Sequence, residues 1–132
     1  MTTTPLVRVD VIRHADHRYD TCGDWLIDHD GRIIVRVSEL GDWRFEFLIA
    51  IHEMVEAALC RHRGISEEAV TAFDKEHEAS GGDGEPGEHP DAPYRKEHAF
   101  AALIEAMVAQ MLGVYWPKYE DAIDGLTWGE KT

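Results

Sequence analysis

The sequence predicts an α+β domain in which a small antiparallel sheet of about three strands, all N-terminal, packs on three helices. Three observations lead there. Alternating β-branched runs occur only before Asp42, and apolar residues at helical spacing dominate after it. An Asp-Gly pair, Asp30-Gly31, separates two of the β-rich runs. Strands and helices segregated along the chain are the pattern of an α+β domain rather than of alternating βαβ units. At 132 residues the chain can bury a core without staples, and residues 1–132 read as a single domain with flexible ends at 1–5 and 124–132.

Residues 6–12 alternate apolar and polar and form the first, half-buried strand. Residues 13–24 are polar and read as a loop; His14 and His17 within it are metal ligands by type but lack an anchoring element. Residues 25–28 and 33–37 are the next two strands. The Asp-Gly between them signals a hairpin, since a type I′ turn needs positive φ at both central residues. Asp42 caps the first helix, and Arg61-His62-Arg63-Gly64 ends it, with cations at the negative pole and glycine beyond. Ser66 caps a second helix through about Ala79, with Ala69, Val70 and Phe73 inward. Residues 80–93 hold four glycines and three prolines and read as a loop. Asp91-Ala92-Pro93 opens the third helix, which runs to Leu112 and stops at Gly113. Residues 114–117 and a polar tail from Glu120 close the chain.

Composition excludes several functions. Acids outnumber bases 26 to 13, a net charge of −13, so phosphate backbones and anionic membranes are disfavoured partners: no nucleic acid, no membrane. Nine acids against Lys75 alone lie between Glu67 and Asp91; such a block solvates a surface, or attracts a cation. No apolar run reaches the length of a membrane span, and no secretory leader is visible. Cys22 and Cys60 form no CxxC motif, so the expected compartment is the reducing cytoplasm.

The chemistry centres on the first helix. Phe45, Leu48, Ile49, Val55 and Leu59 define its core stripe, and His52 and Glu56 fall inside that stripe one turn apart. A carboxylate on an apolar face is costly unless a cation meets it. The plain account is a satisfied histidine with Glu56 paired to Arg13, Arg36 or Arg95. The third helix carries a second anomaly. From Ala99 to Leu112 it is nearly all apolar, yet Glu105 lies within it and His98 lies seven residues earlier on the same face, with Tyr94 one turn before. Two apolar helices bearing imidazole and carboxylate predict a shared polar centre. His52, Glu56 and His98 would supply the His₂Glu set of catalytic zinc sites, which is also the facial triad of non-haem iron. Glu105 would hold a ligand imidazole from behind or serve as a fourth ligand, and Tyr94 would likewise support the site; Glu105, His77 and Asp74 are alternatives as third ligand.

A strand hairpin followed by a helix with His52-Glu53-x-x-Glu56, and a ligand on a later helix, resembles the zincin metallopeptidases. The resemblance implies zinc held by His52 and Glu56, with Glu53 as the general base acting on a zinc-bound water, and peptide or protein as substrate. Glu56 departs from it, standing where zincins have histidine, and His98 replaces their usual downstream ligand. The pattern of Phe73-Asp74, Glu85-Pro86-Gly87 and Ala92-Pro93-Tyr94 also resembles small uncharacterised phage and prophage proteins, which implies no activity. Two other readings remain. One is a non-catalytic, acidic phage-type interaction module with a structural metal or none. The other is a metal-dependent nucleotide pyrophosphohydrolase, for which Glu53-x-x-Glu56 supplies half the motif and no downstream ExxD supplies the rest.

Overall fold

The computed structural model describes residues 3–128. Its strands are β1 (Val7–Ile12), β2 (Gly23–Ile27) and β3 (Ile33–Ser38). Its helices are α1 (Trp43–Arg63), α2 (Glu67–Ala79), α3 (Arg95–Met111) and α4 (Trp116–Asp124). The protein is α+β, as its sequence predicts.

The sheet, however, is mixed rather than antiparallel. Its order is β1-β3-β2, with β2 antiparallel to β3 and β1 parallel to it. Residues 13–22 make the difference, because they carry the chain from one edge of the sheet to the other instead of turning back. His14 and His17 of that crossover fasten to the Ser38 hydroxyl at the end of β3, at 2.8 and 2.9 Å. The most apolar strand therefore takes the middle, with Val35 and Val37 fully buried, each worth roughly 1.5–3 kcal/mol of burial. The β2–β3 hairpin forms, but not through a type I′ turn. Gly31 alone of the central pair has positive φ, at 81°. The Asp28 carboxylate holds the loop by accepting from the Asp30 and Arg32 amides, both at 2.9 Å.

α1 lies across the sheet, with Leu48 and Ala57 fully buried against it. Asp42 accepts from the Arg44 amide at 2.9 Å, and Gly64 closes the helix in the left-handed region. α3 packs antiparallel on α1: Arg44 at the start of α1 reaches the Leu112 carbonyl, and Arg63 at its end pairs with Glu97. α3 starts at Arg95 rather than at Asp91, because residues 91–94 form a turn without a side-chain cap. Ser66 caps α2 as expected.

The fourth helix corrects the reading of a polar tail. Pro117 suits a first helical turn, and Tyr119 and Ile123, one turn apart, both pack inward. Residues 3–5 carry no regular structure, whereas Trp128 donates to the His17 carbonyl at 3.2 Å. The outermost of the expected flexible positions, 1–2 and 129–132, lie outside the described residues. No described helix is long and apolar enough to cross a membrane.

Candidate metal centre

The helical repeat stacks His52 above Glu56 on the face of α1 turned to α3, and the antiparallel packing brings His98 opposite them. All three are buried. Glu56 Oε2 lies 3.2 Å from His52 Nε2 and 3.0 Å from His98 Nδ1, and the two nitrogens are 3.2 Å apart. Bonds of 2.0–2.1 Å in a tetrahedral site give ligand–ligand edges of about 3.3–3.4 Å. The triangle is thus close to the size one metal ion requires, and the three residues can hold one.

The atoms behind the triangle point the same way. His52 turns Nδ1 to Glu105 at 2.8 Å, and His98 turns Nε2 to Glu85 at 3.0 Å. Tyr119 donates to Glu105 at 2.5 Å, and the Trp25 indole donates to Glu56 Oε1 at 3.0 Å. A neutral imidazole that donates its outer N–H leaves a lone pair on its inner nitrogen. Both inner nitrogens would then direct lone pairs at a carboxylate oxygen, an arrangement only a cation or extra protons can stabilise. In the metal-free cluster protons take that role. Burial works against the His52 imidazolium, but hydrogen bonds to Glu105 and Glu56 outweigh it and push its pKa up to about 11. His98 rises to about 9: burial again opposes the charge, and Glu56 and Glu85 favour it. Burial tends to raise the Glu56 carboxyl, but the two imidazoles pull it down to about 2.

The triangle opens into a cleft of about 410 Å³. The Glu53 side chain lines this cleft beside the ligands, and its carboxyl has no hydrogen-bond partner among the described residues. Burial, and then the charge of Glu56, holds its carboxyl well above the usual carboxylate range. Room for it depends on Gly23 of β2, where a Cβ would come within 2.8 Å of Glu53 Cγ and 2.6 Å of Ile49 Cγ2. Asp74 also lines the cleft, accepting from Tyr19 at 2.9 Å and from Tyr94. Burial lifts its carboxyl to about 6 despite these two donors.

The predicted residues therefore sort by position. His52, Glu56 and His98 converge, Glu53 flanks them, and Glu105 sits behind His52. Tyr94 lines the cleft and donates to Asp74. His77 is elsewhere, bonded to the Gly84 carbonyl. His14 and His17 are engaged with Ser38, and none of Arg13, Arg36 or Arg95 is bonded to Glu56. Sequence reasoning missed Trp25, Tyr119 and Glu85. Glu85 comes from the Gly- and Pro-rich loop, which folds over the centre so closely that a Cβ on Gly87 would lie 2.4 Å from the His98 ring. Glycine and proline punctuation marks a loop but not where it lands; Tyr119 and Ile123 at helical spacing after Pro117 were a usable signal. No family model matches the chain, no curated protein matches its sequence and no solved structure matches its fold.

Proposed function

We propose that the chain is a zinc-dependent hydrolase of metallopeptidase type, with His52, Glu56 and His98 as ligands and Glu53 as general base. One observation carries the reading: three inward lone-pair donors of His₂Glu type converge at the wall of an open cleft, with an unbonded carboxyl beside them. Three protein ligands leave a coordination position free, as catalytic zinc sites do and closed structural sites do not. The same donor set suits ferrous iron, and metal analysis separates the two.

A zinc ion in this set supplies Lewis acidity and brings a water's pKa towards 7. The protein's own groups do the rest. Glu105 and Glu85 accept hydrogen bonds from the outer N–H groups of His52 and His98, fixing which nitrogen faces inward. Glu53 receives a proton at its carboxylate from the attacking water and returns it to the leaving amine, a task suited to a carboxyl with a raised pKa. The lining bears on substrate charge: seven carboxylates and no Lys or Arg face the cleft, which disfavours a nucleotide phosphate and leaves room for a peptide. The zincin resemblance of the HExxE helix behind a hairpin supports the same choice.

The test has two stages. Protein purified without chelator or affinity-tag metal should carry near-stoichiometric zinc, and His52→Ala should lose it. Wild-type protein that stays metal-free and melts unchanged when zinc is added defeats the metal reading. Glu53→Gln should then keep the zinc and lose cleavage of an unbiased peptide library. A zinc-loaded wild type that cleaves nothing there points instead to an interaction module whose metal is structural.

A further inference from the structure

We propose that the outer face of α3 is the interface for a second copy of this chain. Phe100, Leu103, Met107 and Met111 follow one another at intervals of three or four residues, so they form one stripe along the helix. They are exposed by 50, 57, 58 and 86%. Residues of these types in a helix that packs on one neighbour are normally turned inward; here they point away from α1.

Charge singles out the same face. The chain carries 26 acids, yet the only two on α3, Glu97 and Glu105, are turned to α1 and the cleft. The exposed positions of α3 bear Arg95 and Lys96 and no acid. Two protomers of net charge −13 repel at long range, and this face lets them meet without placing like charges in contact.

The chemistry favours an identical partner. An apolar stripe is its own complement, so a two-fold axis across α3 sets stripe on stripe, as closed dimers require. Antiparallel pairing also brings Arg95 and Lys96 of one copy to the last turn of the other α3, the negative pole of the helix. The four side chains expose about 500 Å², at the upper end of what a lone monomer shows in one patch. Pairing two such stripes would remove at most about 1,000 Å² in total, just at what a specific interface must clear. His98 and Glu105 lie on the opposite face of α3, so the cleft stays open in such a dimer.

Sedimentation equilibrium of the full chain from about 1 to about 100 μM tests this, a range that reaches weak association. Wild-type protein should shift from monomer to dimer mass across that range. Leu103→Glu and, separately, Met111→Glu should weaken dimerisation by at least about 100-fold, because each places a carboxylate in the contact. Circular dichroism should stay unchanged, both positions being exposed. Val9→Glu, at an exposed apolar site on the edge strand β1, should leave the dimer intact. A monomer at every concentration overturns the proposal, as does a dimer that survives Leu103→Glu and Met111→Glu or dissolves on Val9→Glu.

Discussion

The two imidazoles of the centre are held in the same chemical way by different parts of the molecule. His52 leans on Glu105, a helix residue 12% exposed and clamped in turn by Tyr119. His98 leans on Glu85, a loop residue 61% exposed. Each pair is a carboxylate accepting an imidazole N–H at about the same distance, 2.8 against 3.0 Å. What differs is the support behind the carboxylate. A buried, twice-bonded carboxylate holds a ring in place, whereas an exposed one is weakened by solvent and by loop motion. One arm is preorganised by helix packing, and the other is assembled by a loop closing over it.

Titration should separate the arms most strongly. Without metal, His98 should lose its proton near pH 9 and His52 near pH 11, readable from the ring resonances by NMR. Both imidazoles are charged at pH 7, so metal binding should release close to two protons and affinity should rise up to about 100-fold per pH unit below 9. The stability of the metal-free protein has the opposite slope. Raised histidine pKa values stabilise the fold fully below pH 6.5, and that contribution fades as pH climbs through about 9 and then 11. If His52 releases its proton first, the helix-borne arm is not the firmer one.

Removing the supports gives the next largest effects. Glu105→Gln should lower metal affinity by about 10–100-fold, the usual cost of losing a group behind a ligand. Outright loss of binding would make Glu105 a ligand itself and reopen the place of His98. Gly87→Ala should cost about tenfold in affinity and about 1–3 kcal/mol of stability on denaturant melting, since its Cβ forces either the ring or the loop to move. Glu85→Ala should do least, about threefold, because water can replace an exposed acceptor. An effect of Glu85→Ala equal to that of Glu105→Gln would erase the distinction between the arms.

The difference between the arms is also the difference between what the sequence discloses and what it hides. His52, Glu53 and Glu56 were legible because helical periodicity fixes their mutual geometry from spacing alone. His98 and Glu105 followed from the same rule on α3, and it was their apolar surroundings that made them conspicuous. No periodicity governs Glu85, and its neighbours Gly84, Pro86 and Gly87 read as solvent-facing punctuation. Trp25 was legible as a strand residue, but its indole reaches Glu56 only because Gly23 lets β2 approach α1. The sheet failed for a related reason. Local β-propensity identifies strands but not their order, and a crossover that fastens to Ser38 through two histidines is a tertiary event.

The distance in sequence between His52 and His98 gives the centre a second consequence. They are 46 residues apart, on helices that nothing shorter than α2 and its following loop connects. An ion gripping both closes that loop, as a disulfide would. By the chain-entropy estimate, a cross-link over such a span withdraws about 4 kcal/mol of disorder from the unfolded chain. The centre would therefore act as a reversible staple, set by metal supply instead of by redox potential.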